Sequence, residues 1–122
     1  MPDTWLKAKV IRGLRHGQKI NIPTVNLKNP SLMENFALGV YAAKIKIGKK
    51  EYLGSLYYGP KTLNKQNYNS LEIHIFNFKG NLYNRKILFI PQKFIRKPIT
   101  FTSLNQMQKI IEDDNKNINL LK

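Results

Sequence analysis

Residues 39–59 of the chain, GVYAAKIKIGKKEYLGSLYYG, carry the strongest local signal for its fold. Two segments rich in β-branched and aromatic residues are separated by Gly48 and Lys49, and such segments joined by a short glycine turn are typical of a β-hairpin. We therefore expect two antiparallel strands that meet at Gly48. The rest of the chain has to supply a neighbour for the outer edge of each strand.

Strand signals recur on both sides of this hairpin. Residues 5–11 alternate apolar and basic side chains with a period of two, which predicts a half-buried strand. Residues 71–78 and 82–91 are two further β-rich segments separated by the sequence KGN, and we interpret them as a second hairpin. Residues 23–26, PTVN, are interpreted as a loop or a short strand, because proline restrains helix formation.

A single helix is predicted at the carboxyl end of the sequence. Thr102 or Ser103 can cap it, and apolar residues then follow at helical spacing, namely Leu104, Met107, Ile110 and Ile111. No repeat or linker divides the sequence, so residues 1–122 are interpreted as one domain. Several closely spaced strands followed by one helix predict a closed antiparallel barrel with a helix packed on it.

The charge of the chain is strongly positive. Its 21 Lys and Arg residues against 7 Asp and Glu give a formal net charge of +14, which favours binding of a polyanion. Nucleic acid, anionic lipid and a phosphorylated small molecule all fit this charge. The alternative is a solvated surface produced by compositional drift, since 17 of the basic residues are lysines.

The absence of cysteine and of targeting patterns from the sequence indicates a cellular compartment. The sequence contains no cysteine, which excludes disulfides and thiolate metal sites and fits a reducing compartment. It also contains no signal-peptide pattern and no apolar segment long enough to span a bilayer. We therefore expect a cytoplasmic protein without a membrane partner.

One acid stands out in the sequence SLEIHIFNF, residues 70–78, because Glu72 is the only carboxylate between Glu51 and Glu112. In a strand, Glu72 and His74 share the face opposite the apolar residues around them. Glu72 either pairs with a lysine on a neighbouring strand or acts as a general base that accepts a proton from a hydroxyl. With two histidines and no cysteine, a zinc site is not expected.

Two neighbouring segments offer groups suited to phosphate and a metal ion. Gly13 and Gly17 allow close approach of a ligand to the backbone, and basic residues surround them, namely Arg12, Arg15, His16 and Lys19. Thr24 and Asn26 carry hard oxygen atoms of the kind that Mg²⁺ accepts when phosphates complete its coordination. An ordinary surface turn and turn hydrogen bonds are the alternatives for the two segments.

Taken together, these segments resemble the riboflavin kinase family. The resemblance rests on GLRHGQKINIPTVN at 13–26, GVYAAKI at 39–45, LEIHIFNF at 71–78 and FIRKPITFTSLNQMQKIIEDD at 94–114, in that order. It implies a six-stranded Greek-key antiparallel barrel with a C-terminal helix. It also implies an ATP- and Mg²⁺-dependent activity that phosphorylates the 5′-hydroxyl of riboflavin to give FMN.

The resemblance also implies roles for individual residues. Glu72 matches the catalytic base, and Thr24 and Asn26 match the residues that hold Mg²⁺ and the nucleotide phosphates. The remaining expected nucleotide contacts are Gly13, Gln18, Lys19, Ile75 and Tyr83. Arg96 and Phe101 are expected to hold the flavin, since a guanidinium and an aromatic ring suit a planar ring with polar edges.

The sequence departs from the family pattern in the segment LYYGPKT, residues 56–62, which occupies the place of a usual Asn-Ile-Gly segment, and at three single positions. Gln18 and Asn21 stand where a basic residue and a glycine are usual, and Asn84 follows Tyr83 where the family usually has glycine. These departures keep open a flavin- or nucleotide-binding homologue with impaired catalysis. Because asparagine tolerates left-handed backbone angles, we expect the loops to survive.

Riboflavin, FMN, ATP and ADP are the expected ligands, and the protein is expected to be a monomer. We expect a stand-alone kinase domain that does not make FAD. A basic nucleic-acid-binding barrel, with exposed aromatics such as Tyr57 and Tyr58, is a further alternative. The sequence disfavours nucleic acid as a partner, because this alternative leaves Glu72 without a role.

Overall fold

The computed structural model describes residues 4–11, 24–60, 68–99 and 102–121. This part of the chain forms six strands, one short 3-10 helix and one α-helix. The strands are β1 (Leu6–Ile11), β2 (Val25–Leu27), β3 (Gly39–Ile47), β4 (Lys50–Pro60), β5 (Asn69–Ile75) and β6 (Lys86–Arg96). The 3-10 helix is Pro30–Met33 and the α-helix, α1, is Leu104–Asn119.

The six strands close into an antiparallel barrel with the order β1-β2-β5-β4-β3-β6. The hairpin predicted from residues 39–59 is confirmed, because β3 and β4 pair from Gly39 with Tyr58 to Ile47 with Lys50. Gly48 in the turn has a φ of 61°, a left-handed conformation that favours glycine. This hairpin forms one continuous wall of the barrel.

The second predicted hairpin is wrong. β5 ends at Ile75 and pairs with β2 and β4, whereas β6 begins at Lys86 and pairs with β1 and β3. Residues 76–85 instead cross the end of the barrel. At the start of this connection the backbone N–H of Phe76 donates to β4, and near its end the backbone N–H of Asn84 donates to β1. Positive φ angles of 62° at Asn77 and 69° at Asn84 turn this connection at both ends.

This long connection gives the barrel its Greek-key topology. β3, β4 and β5 are consecutive neighbours, and β6 returns to lie beside β3. That arrangement, with the fourth strand next to the first, defines a Greek key. The fold expected from the resemblance is therefore confirmed.

Inward side chains from all six strands fill the barrel. They include Val10, Leu27, Ile45, Leu56, Ile73 and Phe89. Tyr58 also belongs to this core and is only 6% exposed, so the expectation that it is an exposed aromatic is wrong. Tyr57, the next residue along β4, points outward and is half-buried. The alternation of the strand thus separates the two tyrosines.

Helix α1 covers part of the outer surface of the barrel. Ser103 is its N-cap, as predicted, and its side chain accepts a hydrogen bond from the backbone N–H of Gln106. Ile118 is fully buried and packs with Val40 and Ala42 in a second apolar cluster outside the barrel. Within the described ranges, no helix is long and apolar enough to cross a membrane.

Candidate active site

A row of paired residues crosses five strands on the outer surface of the barrel. Asn26 on β2 pairs with Glu72 on β5, and Glu72 pairs with Tyr57 on β4. The row continues through Val40 on β3 to Arg96 on β6. Because paired strands lie about 4.8 Å apart, the backbones on both sides of Glu72 are close to its carboxylate. We call these five residues the Glu72 row.

Ser70 contacts the carboxylate of Glu72 from the same strand. Its hydroxyl oxygen lies 3.3 Å from Oε2 of Glu72 and 3.2 Å from the carbonyl oxygen of Gly59. A serine hydroxyl has one proton, so it donates to one of these two acceptors at a time. Ser70 is 6% exposed, and this burial fixes its side chain beside Glu72.

Tyr57 forms the opposite flank of Glu72. Its hydroxyl donates a hydrogen bond to the carbonyl oxygen of Pro60. Burial raises the pKa of Tyr57 to about 12, the negative charge of Glu72 raises it as well, and the positive charge of Arg96 opposes both. The phenol therefore stays neutral at physiological pH and lies in the electrostatic field of both charged members of the row.

Asn26 and Thr24 are the neutral oxygen-bearing residues predicted for the site. Asn26 is buried directly opposite Glu72, and Thr24 lies two residues earlier and is half-buried. Amide, hydroxyl and carboxylate oxygens are the hard ligands that Mg²⁺ accepts, so these donors fit that ion. In the part of the chain that the structure describes, no cluster of three or more His, Cys, Asp or Glu side chains could hold a metal.

Arg96 is held by the helix. Its Nε lies 2.9 Å from Oδ1 of Asp114 and its Nη2 lies 2.8 Å from Oδ2, a two-pronged ion pair. Asp114 is 4% exposed, so the pair is largely removed from water. The predicted flavin ligand therefore also ties α1 to the end of β6.

A second contact ties α1 to β5, next to Glu72. The amide Nδ2 of Asn115 lies 3.2 Å from Nδ1 of His74. Burial lowers the pKa of His74, which favours a neutral ring able to accept this hydrogen bond. The ring also packs edge-on against Phe76, with 5.1 Å between the ring centroids.

Sequence reasoning missed Ser70, Tyr57 and the contacts made by α1. A signal for Asp114 was present, because it falls on the apolar stripe of the helix, four residues before Ile118. An acid on such a stripe indicates a buried ion pair. No comparable local pattern marks Ser70 or Tyr57, whose partners come from other strands.

Of the remaining predicted residues, Ile75 and Tyr83 are described by the structure, and neither belongs to the Glu72 row. Ile75 is 7% exposed and points into the barrel core. Tyr83 is 51% exposed on the connection between β5 and β6, where its backbone N–H donates to Oδ1 of Asn81. Four predicted contacts lie outside the described residues, namely Gly13, Gln18, Lys19 and Phe101.

One of the departures from the family pattern keeps the left-handed backbone conformation that a glycine would adopt. Asn84, which stands where the resemblance expects glycine, has a φ of 69°. This is the left-handed region that asparagine tolerates better than most residues. The turn therefore keeps a conformation suited to glycine. Gln18 and Asn21 lie outside the described residues.

Comparisons with known proteins agree with this architecture. The family model described as Flavokinase: Riboflavin kinase matches residues 3–121. The bifunctional riboflavin kinase/FMN adenylyltransferase of Buchnera aphidicola subsp. Schizaphis graminum is 36% identical over 114 residues, which cover 89% of this chain and 36% of that protein. The chain spans 17% to 36% of the length of the first three curated relatives.

Two solved structures share the fold. A Streptococcus pneumoniae protein described as a macrolide-efflux protein has a TM-score of 0.78 and 22% identity, covering 93% of this chain and 37% of that one. Riboflavin kinase from Trypanosoma brucei has a TM-score of 0.64 and 17% identity, covering 96% of this chain and 78% of that one. At these identities the likeness concerns the barrel and its helix.

Proposed function

Because the chain belongs to the riboflavin kinase family, we propose that it transfers the γ-phosphoryl group of ATP to the 5′-hydroxyl of riboflavin, giving FMN and ADP. One structural observation supports this proposal most directly. The pairing of β2 with β5 sets Asn26 directly opposite Glu72. A donor of hard oxygen and a potential base are thus adjacent on rigid strands, as phosphoryl transfer to a hydroxyl requires.

Glu72 is the general base of this proposal. The 5′-oxygen of riboflavin attacks the γ-phosphorus, a new P–O bond forms, and the bond from that phosphorus to the bridging oxygen of ADP breaks. The proton of the hydroxyl passes to the Glu72 carboxylate. A strand-borne carboxylate held by Ser70 suits this role because its position varies little.

Thr24 and Asn26 would hold Mg²⁺ together with the phosphates of ATP. The ion, when bound, neutralises negative charge on the transferred phosphoryl group and its neighbours. The described residues here are neutral oxygen donors beside one carboxylate, and a site of this kind leaves coordination positions for phosphate and water. The basic glycine loop, with Gly13, Gln18 and Lys19, is the proposed partner of the phosphates.

Arg96 and Phe101 are the proposed flavin contacts. The ion pair with Asp114 uses one edge of the Arg96 guanidinium and orients it relative to the Glu72 row. Tyr57 lies between Glu72 and the position of Arg96 in the row, so its ring is a further candidate for the wall of the flavin pocket. These side chains would hold riboflavin with its 5′-hydroxyl towards Glu72.

Direct assay tests the proposal. The protein is incubated with riboflavin, ATP and Mg²⁺, and FMN is separated from riboflavin by chromatography. We expect FMN and ADP to form in equal amounts. Flavin binding without any FMN, under every metal and nucleotide tried, would instead support the catalytically impaired homologue. If the protein neither binds riboflavin nor forms FMN, both the kinase hypothesis and the impaired-homologue hypothesis are refuted.

A further inference from the structure

The side of the barrel opposite Glu72 carries a concentration of lysines. Residues 86–90, the first half of β6, lie three strands away from β5 in both directions around the closed barrel, so their outward side chains point away from Glu72, whereas the second half of β6 ends at Arg96 in the Glu72 row. On residues 86–90 and the β1 and β3 residues paired with them, the outward positions hold five lysines: Lys7, Lys9, Lys44, Lys46 and Lys86. We call these residues the lysine face.

Strand pairing brings the lysines of this face close together. Lys9 on β1 pairs directly with Lys86 on β6. Lys7 and Lys46 pair with Leu88 from its two sides, which sets them about 10 Å apart across β6. All these separations are about a Debye length or less at physiological salt, so the lysines act as one positive surface.

The arrangement opposes folding stability. Like charges directly across a strand pair are destabilising, and the pairing of Lys9 with Lys86 is of this kind. Glu51 is the acid near the face, 4.0 Å from Nζ of Lys46, and its side chain is 52% exposed. Three acids of the chain lie instead on α1, at residues 112–114. A polyanion bound to the lysine face would neutralise the charge concentrated there.

An aromatic ring borders the lysine face. Nζ of Lys46 lies 4.8 Å from the centroid of the Trp5 ring, and Trp5 is half-buried. Aromatic rings beside positive charge bind single-stranded nucleic acid, because bases stack on the ring while phosphates meet the cations. Exposed large hydrophobic side chains lie mostly at other positions, for example Leu38 and Leu120, and Ile11, 38% exposed on the outward side of β1, adjoins the face. A membrane-binding surface would combine such side chains with the lysines.

We propose that the lysine face binds single-stranded RNA. Phosphates lie along the lysines of β1, β6 and β3, and a base stacks at Trp5. The sequence disfavoured nucleic acid because that function left Glu72 without a role. Since residues 86–90 of β6 lie on the side of the barrel opposite β5, and Arg96 lies at the other end of β6, RNA at the lysine face and the chemistry proposed at Glu72 occupy different surfaces.

The test measures binding of a fluorescently labelled single-stranded RNA of mixed sequence by anisotropy, over a range of KCl concentrations. We expect the double variant Lys9→Gln, Lys86→Gln to weaken binding about tenfold at 0.15 M salt. The slope of log affinity against log salt should fall by about 1.4, because each lost phosphate contact contributes about 0.7 for a single strand. Glutamine retains most of the side-chain length, so packing on the strands is preserved.

The matched control is Lys109→Gln, Lys116→Gln, which removes the same charge from exposed positions on α1. It should retain nearly all RNA affinity and the unfolding temperature of the parent protein. The Lys9→Gln, Lys86→Gln variant should unfold at a temperature no lower than that of the parent, because it removes a like-charge pair. Equal loss in the two double variants would overturn the proposal, since net charge alone would then explain binding. Binding to phosphatidylserine vesicles but not to RNA would overturn it in favour of a membrane.

A competition experiment separates RNA at the lysine face from RNA in a nucleotide site. At constant free Mg²⁺, saturating riboflavin and ATP should leave RNA affinity unchanged. Displacement of RNA by ATP would mean that RNA binds in the proposed active site, and RNA binding at the lysine face would be refuted. The proposal stands independently of kinase activity, because RNA binding can be measured in a preparation that makes no FMN.

Discussion

At the scale of single residues, the neighbours of Glu72 determine which chemical roles its carboxylate can have. The residues paired directly with it are Asn26 and Tyr57, and neither is a lysine. An amide and a phenol are therefore the side chains on the strand positions directly across from Glu72. Ser70 adds a buried hydroxyl on the same face of β5. Glu72 thus lies among polar groups that can fix its direction.

The first prediction concerns the base. Glu72→Gln removes the proton acceptor while it keeps the size of the side chain, so we expect kcat to fall about 10²–10⁴-fold with riboflavin affinity nearly unchanged. FMN formation and quenching of riboflavin fluorescence measure the two quantities. Glu51→Gln, which removes a distant exposed acid, is the control. Unchanged kcat in Glu72→Gln would exclude the role of general base.

The second prediction concerns Ser70. Ser70→Ala removes the hydroxyl 3.3 Å from the Glu72 carboxylate, so we expect kcat to fall about tenfold, equivalent to about 1.4 kcal/mol, while KM for riboflavin changes little. Ser55→Ala, on β4 opposite His74, is the control and should retain activity. A rise in KM without a fall in kcat would show that Ser70 serves binding rather than the orientation of Glu72.

At the scale of elements, α1 is fixed to the barrel by one apolar and two polar contacts. Ile118 is buried outside the barrel, Asp114 pairs with Arg96, and Asn115 contacts His74. The polar contacts reach the two strands that carry Arg96 and Glu72. The position of the helix is therefore coupled to the geometry of the candidate site.

The third prediction tests the ion pair. Asp114→Asn leaves the Arg96 guanidinium without its countercharge at a largely buried position, and we expect a loss of about 2–3 kcal/mol in the free energy of unfolding. Urea denaturation measures this loss. Asp113→Asn changes the adjacent, exposed acid and should cost less than about 0.5 kcal/mol. Equal stability of the two variants would contradict a structural role for the pair.

The fourth prediction follows from His74. Its pKa is lowered by burial, so between the ordinary value of 6.5 and its lower folded value the unfolded chain binds more protons than the folded one. The stabilisation is full above pH 6.5 and is lost as the pH falls through the folded pKa. Urea denaturation from pH 7.5 to pH 5 should show a smaller decrease for His74→Gln than for the parent protein.

A variant at an exposed, non-titrating position of α1, Asn117→Gln, provides the control for this experiment. Asn117→Gln should show the same decrease between pH 7.5 and pH 5 as the parent protein. The other titratable groups are the same in all three proteins, so the differences between the proteins report His74. An identical decrease in His74→Gln and the parent would show that His74 is not the source.

At the scale of the whole molecule, closure of the barrel decides what each surface can do. Asn26, Glu72 and Tyr57 come from separate parts of the sequence and meet because β2, β5 and β4 are neighbours. The same order turns the outward side of the first half of β6, residues 86–90, away from β5. A site for phosphoryl transfer and a surface for a polyanion can therefore share a small barrel.

Prediction from the sequence succeeded where the signal was local. The hairpin of β3 and β4, the Ser103 cap and the outward position of Glu72 follow from a turn glycine, a capping hydroxyl and alternation with a period of two. The second hairpin failed because the sequence KGN marks a change of direction but does not choose a partner for the strands beside it. The Greek-key topology of the barrel was predicted only from the resemblance of the motifs to the riboflavin kinase family.

The sequence by itself determined the hairpin of β3 and β4, the apolar face of the strands that it predicted, and that Glu72 lies opposite the core. Only the tertiary structure decided that Asn26 and Tyr57 flank Glu72, that Asp114 holds Arg96, and that the lysines gather on the far side. The physical reason is that pairing between distant strands is selected by burial of the shared core and by closure of the barrel. Local backbone preferences carry no information about that selection.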